Sequence, residues 1–342
     1  MARKKSKDNG DAKRLAEVIC SLPSAVKYDL LESTTDFLVA EGQTSQLEFL
    51  FDPEDSRPEP GESPPQRPRT RYGRRRPKKK RIAFGWYGGK YSHLNWLLPL
   101  LPQAHHYCEP FGGSAAVLLN REPSPVETYN DLDGEVARFF RVLRDQTDDL
   151  IKAIALTPFS REEFAKALEP PSDDLTDLEL ARRFFVRARQ VRTGLAQTAS
   201  IGRWANCKAT SRAGMAGVVS RWLGSVQGLP EVALRLLRVQ IENRPAIEVV
   251  ELYDSKDTLF YCDPPYPHET RGDSKSYKYE MTAKEHAQLA RVLNKAEGKV
   301  AVSGYRCDLT DALYAGWRCI EAQEKNCHSI KKPRQEVLWV NY

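Results

Sequence analysis

The chain has 342 residues, 41% of them hydrophobic, and carries 52 Lys and Arg against 46 Asp and Glu for a net charge of +6. That length and apolar content suit an α/β domain with an insertion or extension. No run reaches the ~18–20 apolar residues of a membrane helix and the basic start at residues 1–5 leads into no secretory apolar stretch, so a cytoplasmic protein without membrane contact is expected.

Residues 1–51 hold apolar positions at near-helical spacing, Leu15, Val18, Ile19 and Leu22, then Leu30, Leu31, Phe37 and Leu38, which predict one or two short helices. Residues 52–81 are rich in Pro, Arg and Glu and nearly free of aliphatic side chains, the composition of a disordered linker. Residues 1–81 carry 18 Lys and Arg against 13 Asp and Glu, so most of the net charge sits there. Ten of the fifteen residues 67–81 are basic, a block that repels itself and suits a polyanion such as nucleic acid. A solubilising or targeting tail is the plainer alternative.

From residue 82 short apolar runs alternate with longer amphipathic stretches. Seven strands are predicted, at 106–108, 126–129, 239–242, 258–262, 299–303, 317–321 and 336–341. Helices are predicted between many of them, including 113–120, 134–145, 283–295 and 309–314. Such alternation predicts an α/β fold, a largely parallel sheet with helices on both faces, whose last two strands could form an antiparallel hairpin. Residues 146–236 interrupt the pattern with predicted helices at 161–168, 177–192 and 230–237 around a basic, Gly- and Trp-containing middle. Ninety residues are too many for a crossover, so this stretch reads as an inserted, mostly helical domain that splits a catalytic domain into 82–145 and 237–342. The seven cysteines (20, 108, 207, 262, 307, 319 and 327) include no C-x-x-C pair and are odd in number, so neither a disulfide framework nor a metal site is expected.

Three motifs carry chemistry. Glu109-Pro110-Phe111-Gly112-Gly113-Ser114 follows the first strand, and its glycines let backbone approach a ligand closely. Asn130-Asp131-Leu132-Asp133 ends the second strand about 20 residues further on, the place of a carboxylate that grips an adenosyl ribose; Asp133 suits a helix cap. Asp263-Pro264-Pro265-Tyr266 follows the apolar run Leu259-Phe260-Tyr261-Cys262. Two prolines stop the strand and stiffen the turn, aiming a carboxylate and a carbonyl at both hydrogens of an exocyclic amine, with an aromatic ring beside them.

With these motifs in view the chain resembles the Dam family of adenine-N6 DNA methyltransferases over residues 84–342. Trp86-Tyr87-Gly88-Gly89-Lys90 resembles its leading W-x-G-G-K motif, residues 109–113 its glycine loop, Asn130-Asp131 its ribose motif and residues 263–266 its DPPY. Ser303-Gly304-Tyr305 and the closing residues 336–342 match its later strand motifs. Here the loop reads E-P-F-G-G-S, one glycine short of the fullest version, and residues 1–80 have no counterpart in the minimal pattern. The resemblance implies a Rossmann-like seven-stranded methyltransferase sheet and an insertion that reads the DNA. It implies S-adenosyl-L-methionine held by Trp86, Lys90, Glu109, Pro110, Phe111, Gly112, Gly113, Asp131 and Asp263, and catalysis by Asp263, Pro264, Pro265 and Tyr266 on an adenine flipped from double-stranded DNA.

Within the insertion Arg203, Lys208 and Arg212 are candidate phosphate contacts, with Arg221 beside them and Trp204 or Trp222 as base wedges or as core. Arg271 and Lys275 fall in a polar stretch, 267–280, that reads as a loop over DNA. No cysteine is needed for the reaction. A monomer of prokaryotic or phage type is expected, with a separate restriction endonuclease left open as a partner. The alternatives are methylation of RNA adenine or cytosine N4, and an inactive DNA-binding protein of the same fold; Asp at position 263 favours adenine.

Overall fold

The computed structural model describes residues 80–342 other than 213, 271–277, 324 and 327–332. The helices expected within 12–50, the linker up to residue 79, and Arg271, Lys275, Cys327 and His328 lie outside the described residues. Arg81, at the end of the expected linker, is already tied to the fold: its N–H donates to Asn120 Oδ1 (2.7 Å) and its carbonyl accepts from Asn120 Nδ2 (2.8 Å).

All seven expected strands form. They are β1 His106–Glu109, β2 Val126–Asn130, β3 Gln240–Glu242, β4 Thr258–Cys262, β5 Lys299–Gly304, β6 Arg318–Glu321 and β7 Val337–Val340. One sheet holds them in the order β3-β2-β1-β4-β5-β7-β6. The first five run parallel, while β7 inserts antiparallel between β5 and β6, so the expected terminal hairpin is real. The order reverses between β1 and β4, and the carboxyl ends of those two strands open a crevice where open α/β sheets take ligands. Burial alternates along the strands: Tyr107, Leu259 and Tyr261 enter one core, Cys108, Phe260 and Cys262 the other. With both faces covered, β4, β5 and β7 read in sequence as largely apolar runs.

Helix α1, Gly134–Asp145, starts on Asp133, whose side chain accepts from the Glu135 N–H, as its cap reading predicts. Helices α2 Thr147–Ala155, α3 Arg161–Leu168, α4 Asp177–Gln190, α5 Gly217–Gln227 and α6 Leu229–Leu236 follow. The opposite face is covered by α7 Ala246–Tyr253, α8 Ala283–Leu293 and α9 Asp308–Leu313. Residues 146–236 share their core with the sheet: the Phe84 ring meets Phe139, Phe140 and Phe184 at 5.1–5.4 Å, and Phe185 stacks on Phe139 at 5.6 Å. Arg235 of α6 reaches back to Glu127 of β2, with both nitrogen–oxygen contacts at 2.5 and 2.7 Å and both groups buried.

One expected element is absent. Residues 113–120 do not form a helix, because Gly113 and Ala115 both take positive φ (50° and 53°), which interrupts right-handed winding. The segment closes instead as consecutive turns, with Leu119 donating to the Ala115 carbonyl.

Candidate active site

A cavity of about 300 Å³ opens at the carboxyl ends of β1 and β4. It brings together Trp86, Lys90, Glu109, Phe111, Gly112, Gly113, Asp131, Asp263 and Pro265, residues spread over 180 positions of the sequence. The glycine loop forms one wall. Gly112 donates to the Asn130 carbonyl (2.7 Å), Gly113 donates to Asp131 Oδ2 (2.8 Å), and the Tyr129 hydroxyl donates to the Gly113 carbonyl (2.7 Å). A Cβ at position 112 would stand 2.2 Å from the Tyr129 ring, and one at 113 would stand 2.6 Å from the Trp86 ring, so only glycine fits either place. Asp131 Oδ1 also accepts from the Asp133 N–H (2.8 Å), and burial, partly offset by these two amides, pushes its carboxyl up to about 6. Glu109 accepts from the Tyr107 hydroxyl (2.7 Å); burial outweighs that bond and pushes it to about 8.

Behind the opposite wall stands the Asp263 turn. Lys90 Nζ lies 2.7 Å from Asp263 Oδ2 and 3.2 Å from Glu336 Oε1, and the lysine side chain is only 3% exposed. Its Nζ also donates to the Gly88 carbonyl (2.6 Å). Burial raises Asp263 to about 6, with the Lys90 ammonium opposing and the Glu336 carboxylate reinforcing the shift. Pro264 and Pro110 are buried beneath the site, the Pro110 carbonyl accepting from Asn130 Nδ2 (2.8 Å). Tyr266 is buried as well; its ring meets Tyr305 edge-on at 5.0 Å and Lys90 Nζ at 5.0 Å.

A family model described as D12 class N6 adenine-specific DNA methyltransferase matches residues 86–329. The chain belongs to that family. It is an enzyme of adenine methylation in DNA, which sets aside the cytosine and inactive-binder alternatives. Among curated proteins nothing matches the chain. Among the described residues of this D12-class methyltransferase no cluster of His, Cys, Asp and Glu could hold a metal, and no helix is long and apolar enough to cross a membrane.

Elsewhere the structure sorts the candidates. Arg203, Lys208 and Arg212 are exposed on the insertion and do not line the cavity. Trp222 is core, packed on Phe185 at 5.6 Å, and is no base wedge. Trp204 is half-buried, donating to Gln190 Oε1 (3.2 Å) under the Arg161 guanidinium at 4.8 Å. Sequence reasoning missed some parts of this D12-class site and gave Asn130 and Glu336, though both fall in its motifs, no role of their own. Gln197, delivered by the insertion, lines the cavity with a buried side-chain oxygen that has no hydrogen-bond partner among the described residues. Asn130 clamps two loops, donating to Pro110 and Arg244 carbonyls and accepting from the Arg244 N–H. Ala246, Ile247 and Met281 supply apolar wall, and Glu336 joins the cluster behind Asp263.

Proposed function

We propose that this enzyme transfers a methyl group from S-adenosyl-L-methionine to N6 of an adenine flipped out of double-stranded DNA, at a defined target sequence. The observation that carries the reading is that the glycine loop, the Asp131 carboxylate and the Asp263 turn all meet in one cavity at the sheet's switch point. The cavity suits that cofactor: the loop where a Cβ would clash leaves backbone open to a ligand, and the Gln197 oxygen, without a hydrogen-bond partner among the described residues, can take a donor. Glu109, Phe111, Gly112, Gly113 and Asp131 would hold it, with Trp86 and Lys90 at its amino-acid end. When bound it supplies an electrophilic methyl on a sulfonium.

The adenine amine is a poor nucleophile because its lone pair is delocalised. Hydrogen bonds from the amine to Asp263 and to the Pro264 carbonyl favour a more tetrahedral nitrogen with an available lone pair. The two prolines hold those acceptors in place, so the rate comes from positioning and electrostatics. Reaching N6 requires the base to leave the stack. Arg203, Lys208, Arg212, Arg271 and Lys275 would contact phosphates, with residues 146–236 reading the target and the basic block at 67–81 adding unspecific affinity.

The test is transfer of labelled methyl to unmethylated genomic DNA by wild type and Asp263→Ala, followed by nucleoside analysis. Label in N6-methyladenine that vanishes in the variant supports the assignment. Undiminished transfer by Asp263→Ala removes it.

A further inference from the structure

Four side chains close a ring behind the cavity. Lys90 Nζ bridges Asp263 Oδ2 and Glu336 Oε1 at 2.7 and 3.2 Å. The Tyr266 hydroxyl bridges the same two carboxylates, 2.8 Å from Glu336 Oε1 and 3.2 Å from Asp263 Oδ1. Lys90, Tyr266 and Glu336 are each 5% exposed or less, so water has little access to them. The second Glu336 oxygen faces His93 Nε2 at 3.7 Å.

A phenol has one proton to give, and here two carboxylates stand within reach of it. The shorter contact goes to Glu336. With the proton there, Asp263 Oδ1 keeps its lone pairs, while Oδ2 is held by Lys90. We infer that Glu336 is a positioning residue of the methyl transfer: by taking the Tyr266 proton and a share of the Lys90 charge, it keeps Asp263 Oδ1 open to the amino hydrogen of the target adenine. This rests on Asp263 being the acceptor proposed above.

Remove the Glu336 carboxylate and both neighbours turn on Asp263. Of the two carboxylates the phenol is then left with Oδ1, the oxygen the substrate needs, and the ammonium, still donating to the Gly88 carbonyl, keeps Oδ2 as its carboxylate partner. The groups facing Asp263 are Lys90, Tyr266, Glu336, Tyr261, Glu109 and the Cys262 thiol, with His93 beyond Glu336. Of these Glu336 and Glu109 are the carboxylates, so losing Glu336 makes Asp263 more acidic.

The experiment compares kcat and KM across pH for Glu336→Ala, Glu336→Gln, Tyr266→Phe and Glu336→Ala/Tyr266→Phe, with Asp263→Ala alongside. Glu336→Ala is expected to lower kcat by about tenfold or more with little change in either KM, and to move the acid limb to lower pH. Deleting the competing hydroxyl should recover activity: the double variant is expected to exceed Glu336→Ala by about threefold or more. Glu336→Gln keeps an oxygen for the phenol and should regain most of the lost kcat while still shifting the acid limb. A loss from Glu336→Ala that is the same with and without Tyr266→Phe overturns the inference, as does unchanged kcat. If Glu336→Ala fails to fold, an unshifted acid limb in Glu336→Gln overturns it. Activity surviving in Asp263→Ala is the separate result that removes the underlying assignment.

Discussion

Glu109 holds a proton at neutral pH in the free protein, since burial lifts its carboxyl to about 8. A cationic ligand entering the cavity beside it favours the ionised form, so binding of S-adenosyl-L-methionine is expected to release a proton at pH 7. Calorimetry in buffers of differing ionisation enthalpy measures that release, and its loss in Glu109→Gln assigns it. Asp263 gives the complementary pH signal. In the proposed mechanism its carboxylate is ionised to accept the amine, so with a pKa of about 6 kcat/KM is expected to fall as pH drops through that value. A rate profile between about pH 5 and 8 checks this. Gly112→Ala places a methyl 2.2 Å from a buried ring, and the loop must shift. We expect a cofactor affinity at least about tenfold weaker, read by equilibrium binding, with about 1–3 kcal/mol of stability lost. Asp263 was legible in the sequence because two prolines after an apolar run announce a rigid strand end. Gln197 was not, since nothing in its neighbours marks which side chain of a polar turn faces a cavity.

Among the elements, β4, β5 and β7 were the most legible strands because both sheet faces are covered there and their apolar runs are short. The stretch 113–120 misled because its composition is helical while Ala115 takes φ 53°, a choice made by tertiary packing around the glycine loop. Long-range pairing was equally silent: Glu127 and Arg235 lie 108 positions apart, yet their buried ion pair joins β2 to α6. Arg235 also donates to the Leu118 carbonyl (2.9 Å). Arg235→Ala leaves the buried Glu127 carboxylate only the Ser124 N–H at 3.1 Å and the Arg238 guanidinium at 3.7 Å, and is expected to cost about 3 kcal/mol, measured by urea unfolding. Cofactor affinity per folded molecule should change far less.

For the molecule as a whole, strand order explains why Glu336 belongs to the site. Val337 pairs with Gly304 at the carboxyl end of β5, because β7 runs against its neighbours. The residue before β7 therefore arrives at the edge where Asp263 leaves β4, 73 positions earlier in the chain. Motif spacing alone could not foretell that meeting. Charge acts at this scale too. Replacing the basic residues of 67–81 by Gln in the full chain is expected to reduce the slope of log affinity against log salt by about 0.9 for each phosphate no longer neutralised, leaving kcat at saturating DNA unchanged. An unaltered slope in a binding titration assigns the block another role.

The aromatic seam of Phe84, Phe139, Phe140, Phe184 and Phe185 bears on how new target specificities could be built. Transplanting the whole of 146–236 from a relative would exchange two of the five rings, Phe184 and Phe185, and leave Phe139 facing unfamiliar partners. A graft confined to the exposed stretch Lys208–Arg212 would leave α4 and its phenylalanines in place. The boundary that matters to an engineer is thus drawn by shared packing, inside the insertion rather than at its ends.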